Sequence, residues 1–202
     1  MADASTDRSG ADDAQGDCLV IALPTAAATR RLGRRLGEIL QPGDALSLDG
    51  PLGAGKTCLV QGLARGLGVP ANVAVSSPTF TLVNQYAVTP APPTRAPGPI
   101  AGAARPFPFP FPLTLYHVDL YRLESARELD ELGLWESVES GGILAVEWLS
   151  RFPQALPEDR LALQLNLLPE GGRSLSLRSG GPRSEQRLAE LRRALPATKR
   201  RR

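Results

Sequence analysis

Eight consecutive residues, Gly50-Pro51-Leu52-Gly53-Ala54-Gly55-Lys56-Thr57, carry the spacing G-x-x-x-x-G-K-[ST]. Glycines at these positions let successive backbone N–H groups turn inward around an anion, and a helix starting at the lysine adds the partial positive charge of its N-terminus. Lys56 then reaches the β- and γ-phosphates of a nucleoside triphosphate, and Thr57 offers its hydroxyl to Mg²⁺. Lys56 stands out for a second reason. Of the 23 basic residues only Lys56 and Lys199 are lysine, so arginine serves almost everywhere that a generic positive charge suffices. The nucleotide-binding stretch is expected to comprise Leu52, Gly53, Ala54, Gly55, Lys56, Thr57 and Cys58, with ATP and Mg²⁺ as the cofactors.

Hydrolysis needs further groups to hold the metal and orient a water, and these sit at the carboxyl ends of neighbouring strands. Glu147 directly follows the apolar run Ile143 to Val146, where a buried carboxylate is costly unless it faces a metal, a water or a partner. Asp119 lies in a half-polar stretch, and its local pattern equally allows an exposed or salt-bridged acid. His117 is the only histidine; with Asp119 as its sole nearby ligand partner it reads as a packed strand residue rather than a metal ligand. Trp148, beside Glu147, is placed either to shield the site and report nucleotide by its fluorescence or simply to fill the core.

The elements that must position these residues follow from periodicity. Cys18 to Leu23 reads as a short buried strand. Thr25 to Leu40 reads as a helix with Leu32, Leu36, Ile39 and Leu40 on one face, ended by Pro42-Gly43. Ala45 to Asp49 is a strand that delivers the glycine-rich turn, and a helix with Leu59, Val60, Leu63 and Leu67 follows. Ser77-Pro78-Thr79-Phe80 marks a loop, and Thr81 to Tyr86 leaves it as a strand. Leu113 to Leu123 alternates as a strand, Ser125 and Glu128 form a capping box, and Gly133 stops the helix it opens. Leu161, Leu163, Leu165 and Leu167 alternate strictly before Pro169 to Gly172 and Leu175 and Leu177, which predicts an antiparallel hairpin. A closing helix is expected from about Ser184 to Leu195.

Composition sets the outer limits. At 202 residues, with 42% hydrophobic and 22% charged residues, one core domain is expected. Residues 1–17 carry five Asp against one Arg and read as a disordered acidic N-terminus, while 182–202 carry eight Lys/Arg against two Glu and read as a basic tail or helix able to touch RNA phosphates. Between them, 18–181 reads as a P-loop domain interrupted at 88–112 by a Pro-, Gly- and Ala-rich insertion, with Phe-Pro repeats, that is too poor in core residues to pack. There is no apolar run of 18 residues, no leader of basic then apolar residues, and only two cysteines, Cys18 and Cys58. No membrane span, targeting segment or disulfide scaffold is therefore expected, and a reducing, cytoplasmic compartment fits.

Five linked segments, LDGPLGAGKTCLVQGLARGLGV, SSPTFTLVNQY, LYHVDLYRL, ELDELGLWE and AVEWLSR, together resemble the TsaE family, formerly called YjeE, in order and spacing. The resemblance spans roughly Leu19 to Leu168. It implies an α/β P-loop fold with a mixed, mostly parallel sheet flanked by helices. It also implies a bacterial ATPase that works with TsaD and TsaB to make the threonylcarbamoyladenosine (t6A) modification of tRNA, without itself handling the carbamoyl chemistry. The same resemblance puts Thr57 and Asp119 at Mg²⁺, makes Glu147 the acid required for hydrolysis, and puts Ser77, Pro78 and Thr79 in a switch-like loop near the γ-phosphate; Glu147 is also expected among the metal ligands, and Lys56 beside it as a catalytic residue. Two departures stand out: Pro51 occupies a position where the family commonly has Asp, and the insertion after Tyr86 is unusually long.

Other classes remain open. A small-molecule P-loop kinase would need an arginine-bearing lid, and the insertion holds only Arg95 and Arg105. A nucleotide-binding scaffold without turnover would have no use for Glu147. A GTPase would need a guanine-recognition N-K-x-D element, which the sequence lacks.

Overall fold

A computed structural model describes residues 18–89 and 113–195. The expectations for the acidic N-terminus, for most of the insertion and for the final residues of the basic tail fall outside the described residues.

The uninterrupted apolar run Ile143 to Val146 predicts a strand covered on both faces, and β5 (Ile143–Glu147) is buried along its whole length. It sits in the middle of a seven-stranded sheet. The remaining strands are β1 (Leu19–Leu23), β2 (Ala45–Asp49), β3 (Val83–Ala87), β4 (Thr114–Asp119), β6 (Leu161–Leu167) and β7 (Arg173–Ser179). Their order across the sheet is β1-β7-β6-β2-β5-β4-β3. The four central strands β6, β2, β5 and β4 run parallel, while β7 and β3 pair antiparallel at the flanks and β1 pairs antiparallel with β7. This is the mixed, mostly parallel P-loop sheet, with its C-terminal hairpin β6–β7, expected from the sequence.

Helices α1 (Ala26–Ile39), α2 (Lys56–Leu67) and α5 (Pro182–Ala194) cover one face, and α3 (Ala126–Glu131) and α4 (Leu134–Glu139) lie over the other. Two apolar cores result. Leu36, Leu59, Leu63, Leu163, Leu177 and Leu188 belong to the first, and Val118, Leu120, Leu144 and Val146 to the second. Because side chains alternate across a strand, Leu46 and Leu48 of β2 enter the first core while Ala45 enters the second.

Several local expectations change. β1 is an edge strand rather than a buried one, with Val20 65% exposed. Periodicity cannot distinguish the end of a sheet from its middle in so short an apolar run. The strand expected over Leu113 to Leu123 stops at Asp119, because the Asp119 carboxylate accepts the Tyr121 amide and turns the chain. The strand after the Ser77 loop begins at Val83, since Leu82 adopts φ 61° in a turn closed onto Pro78. Gly133 ends α3 but also opens α4, which periodicity does not indicate in six residues. Val88, counted with the insertion, is buried in the core and bonded to Leu113. Pro182 starts α5 two residues early, as suits proline in a first helical turn.

Four glycines bring α1 and α2 to backbone contact. A Cβ on Gly33 or Gly37 would meet the carbonyls of Leu59 or Leu63, and one on Gly62 or Gly66 those of Arg30 or Arg34. Glycine weakens a helix interior, so its presence at 33, 37, 62 and 66 is offset by the close approach it permits. That approach fixes α2, and with it the glycine-rich turn before it. Gly62→Ala is therefore expected to destabilise the fold by about 2 kcal/mol or more despite alanine's higher helix propensity, measured by urea denaturation.

At the far end of the sheet, the Asp159 carboxylate accepts the Arg183 and Ser184 amides at 2.9 and 2.8 Å and caps α5. Burial pushes the Asp159 carboxyl up, but hydrogen bonds from Ser184 and Arg183 outweigh that and hold it below the ordinary value. A depressed carboxylate stabilises the fold above its unfolded pKa, and that stabilisation is lost as pH falls through the folded value. Asp159→Ala should thus lower stability by about 1 kcal/mol at pH 7, with the difference from wild type shrinking below about pH 4, when both proteins are denatured with urea at each pH.

Candidate functional site

β2 carries the chain from the core to Gly50, and α2 begins six residues later at Lys56. The turn between them needs a left-handed backbone at Gly53 (φ 79°) and Gly55 (φ 101°), a conformation that penalises any side chain. Gly55 is the N-cap of α2, so the unpaired amides of the first helical turn and the helix dipole face the space in front of it. Lys56 is buried. Its ammonium donates to the carbonyls of Gly50 (2.9 Å) and Pro51 (3.2 Å) and lies 3.8 Å from the centroid of the Trp148 ring. Burial lowers the Lys56 pKa, opposed by the charges of Glu147, Asp119 and Asp49.

The acids reach the same place through strand register. β4 and β5 run parallel with Asp119 opposite Glu147, and Glu147 lies opposite Leu48 of β2, one residue before Asp49 and two before the glycine turn. Both carboxylates are 3% exposed. Glu147 Oε1 accepts the Thr57 hydroxyl at 2.9 Å and His117 Nε2–H at 2.8 Å. Asp119 Oδ2 accepts the Thr79 hydroxyl at 2.7 Å, and the Ser77 hydroxyl, 2.7 Å from Thr79 Oγ1 and 3.2 Å from Asp119 Oδ2, has one hydrogen to share between those two acceptors. The loop after α2 is thereby tied to the strand end that carries Asp119. Two non-glycine residues with positive φ, Leu82 and Trp148, flank this region, and the Leu82 carbonyl accepts the Asp119 amide. Backbone strain of this kind persists only where surrounding contacts enforce it.

A cleft of about 390 Å³ opens between these parts. Leu52, Gly53, Gly55, Lys56 and Thr57 line one side; Ser77, Thr79, Asp119, Tyr121, Glu147 and Trp148 line the other. Ten of the residues singled out in the sequence thus meet in one place. Three others do not line it: Ala54 is buried with its amide bonded to Pro51, Pro78 closes its own turn, and the Cys58 thiol contacts the Ala26 carbonyl of α1.

Asp119 is resolved as a buried acid. His117, read as a packed strand residue near Asp119, is fully buried but bonded to Glu147 instead. Side chains two apart on β4 share a face, and the register of β4 on β5 turns that face towards Glu147. Tyr121 is an addition that sequence reasoning missed. It follows Asp119 around the turn, and its ring packs against Trp148 with centroids 5.1 Å apart and planes tilted by 44°. Nothing in the sequence distinguishes it from the other aromatic residues.

Among the described residues no cluster of three or more His, Cys, Asp or Glu side chains forms a metal cage. The oxygen donors nearest the start of α2 are instead the Thr57 hydroxyl and the Glu147 carboxylate it bonds, with Asp119 opposite Glu147 on β4 and the Ser77 and Thr79 hydroxyls beside Asp119. All are hard oxygen donors, and this small set suits Mg²⁺, which keeps waters and phosphate oxygens among its ligands.

The family model described as "Threonylcarbamoyl adenosine biosynthesis protein TsaE" matches residues 23–175. Curated relatives named "tRNA threonylcarbamoyladenosine biosynthesis protein TsaE" include one from Treponema pallidum, 35% identical over 153 residues (76% of this chain, 95% of that protein). A second, from Bacillus subtilis, is 32% identical over 163 residues (81% and 87%). The crystal structure of YdiB from Bacillus subtilis superposes with a TM-score of 0.66 at 27% identity, covering 89% of this chain and 97% of that one.

The shared Glu147 oxygen yields a stability prediction. His117→Leu leaves a buried carboxylate short of a donor and should destabilise the fold by about 2–4 kcal/mol in chemical denaturation, whereas His117→Gln, which retains an N–H donor, should recover part of that loss.

Proposed function

The chain belongs to the TsaE family, and from that premise we propose that it is a Mg²⁺-dependent P-loop ATPase that serves formation of threonylcarbamoyladenosine on tRNA. The observation that carries the reading is the meeting of Lys56, Thr57, Asp119 and Glu147 at one cleft, in front of the α2 N-terminus.

In this mechanism the amides of Gly53, Gly55, Lys56, Thr57 and Cys58 bind the phosphate chain, and Lys56 exchanges its two carbonyl partners for the β- and γ-phosphate oxygens. Thr57, Asp119 and Glu147 would hold Mg²⁺. Held there, the ion would supply positive charge to offset that of the phosphates. Glu147 orients the attacking water through Oε2, while Thr57 and His117 hold Oε1 and so fix the carboxylate plane. Ser77 and Thr79 bond Asp119 and give the switch-like loop a contact that a γ-phosphate can compete for. Trp148 and Tyr121 limit water on the open side of the cleft.

Turnover by the chain alone is slow, as in other P-loop switches whose rate a partner raises, and TsaD and TsaB are the proposed partners. Contact with tRNA is indirect or through the basic residues of 182–202. No helix among the described residues is long and apolar enough to cross a membrane, and a cytoplasmic location suits a tRNA-modifying role.

The test is phosphate release from Mg·ATP by the full chain, alone and with TsaD and TsaB. A partner-dependent rise is expected, and Glu147→Ala should reduce it by about 100-fold or more. Tight ATP binding without release under either condition would leave a nucleotide-dependent scaffold, and phosphate appearing on a small metabolite instead of free in solution would mean a kinase.

A further inference from the structure

α1 buries Thr29, Leu32, Gly33, Leu36 and Gly37 and presents Arg30, Arg31, Arg34 and Arg35 on its remaining surface. Residues four apart on a helix stand one above the other, so Arg30 with Arg34 and Arg31 with Arg35 form two adjacent rows, each with a rise of about 6 Å. Arg30, Arg31 and Arg34 are exposed. Arg35 is half-buried, and its Nη1 donates to the Ala194 carbonyl, which seats the last turn of α5 beside the rows. That turn adds Arg192 and Arg193, the latter exposed. The chain leaves α5 at Leu195, and residues 199–202, which lie outside the described residues, read Lys-Arg-Arg-Arg.

Little neutralises this surface. Glu38 is the one acid of α1, bonded to Arg34 at 3.2 Å, and α2, packed alongside, contains none. Among the described residues no carboxylate lies within ion-pair distance of Arg30, Arg31, Arg35 or Arg193. Arg30 Nη1 meets instead the Cys58 sulfur, a weak acceptor, at 3.5 Å. Acids gather over the opposite face of the sheet: Glu128, Asp130 and Glu131 on α3 and Glu136 and Glu139 on α4 are all exposed, against Arg127 alone. With 23 basic and 21 acidic residues the whole chain is nearly balanced, so the asymmetry is one of placement. Among the described residues no large apolar side chain is exposed on α1 or α5, which argues against an apolar partner helix or insertion into lipid and leaves charge and hydrogen bonding as the means of recognition.

We propose that the arginine rows of α1, together with the end of α5, bind the sugar–phosphate backbone of RNA. The choice of RNA rests on the tRNA-related role proposed above; the surface itself is independent of the ATP reading, because none of these arginines lines the cleft. Guanidinium forks match phosphate oxygens bidentately, and rows along a 14-residue helix, about 21 Å long, reach several phosphates of one strand. Contacts of this kind seat an RNA stem without reading its sequence. The acid-rich face of α3 and α4 repels the same backbone, so the molecule has one way to face it.

The experiment follows the fluorescence anisotropy of a labelled, unmodified tRNA transcript titrated with the full chain at several salt concentrations. The double variant Arg31→Gln, Arg34→Gln is compared with Arg127→Gln, Arg178→Gln, which removes the same charge from exposed positions on α3 and β7. The two are matched, since Arg34 and Arg127 each pair with a glutamate one helical turn on. Wild type should bind with a steep salt dependence. The α1 variant should bind roughly 10-fold more weakly near about 0.1 M salt, with the slope of log K against log salt reduced by about 1 to 2, and the control should show neither change. Thermal unfolding checks the fold, and should the α1 variant not fold, Arg31→Gln, Arg193→Gln carries the same expectation. No binding by the folded wild-type chain, undiminished affinity in the α1 variant, or an equal loss in the control would each overturn the assignment. Binding to phosphatidylserine-containing vesicles without binding to the transcript would overturn it in favour of a membrane surface. Phosphate release from Mg·ATP by the same proteins keeps the two readings apart: it should be unchanged in the α1 variant, and its absence from wild type would remove the ATPase reading while the RNA result stands by itself.

Discussion

Glu147 Oε1 receives two hydrogen bonds at once, from Thr57 on the first turn of α2 and from His117 in the middle of β4. Three elements that are distant in sequence meet at this single atom. A carboxylate buried at the end of β5 would be strongly disfavoured alone, and its two donors make the position tolerable while fixing the direction of its second oxygen. Everything else at the cleft depends on that arrangement. α2 must start where it does for Thr57 to reach, and β4 must pair with β5 in a register that sets His117 and Asp119 on the Glu147 face.

The start of α2 is held from behind. Glycines on both helices let α1 and α2 touch through their backbones, so α2 has little freedom to slide or rotate. The same contact brings Thr29 of α1 to Arg173 of β7 and the Ala26 carbonyl to Cys58 of α2. The glycine-rich turn is thus braced on three sides by β2, α1 and the hairpin β6–β7, while the loop carrying Ser77 and Thr79 is held to the site by hydroxyl contacts to one carboxylate. A rigid turn opposite a loop with exchangeable contacts is the arrangement that the proposed nucleotide switch would use.

The charge distribution follows from the same geometry. Lys56, Glu147, Asp119 and Asp49 form a compact set in which desolvation of the ammonium is partly offset by the carboxylates. Arg173 stands on the other side of the turn with only Thr29 as a partner.

The glycine-rich turn was legible in the sequence because its pattern is local: eight contiguous residues contain the glycines, the lysine and the hydroxyl, and the flanking strand and helix follow from short-range periodicity. Glu147 was legible for a related reason, since an acid ending an apolar run contradicts its surroundings unless it has work to do. His117 and Tyr121 were not legible as site residues. Each reaches the cleft or its back wall through strand register, a turn or helix contact between segments separated by tens of residues, and single-chain periodicity holds no term for such pairings. The edge position of β1 and the backbone contact between α1 and α2 belong to the same class. Local pattern was enough to locate the glycine-rich turn and the elements that carry it; the neighbours of its residues emerge only in the folded chain, because hydrogen bonds and burial depend on distances between strands and helices that no local pattern encodes.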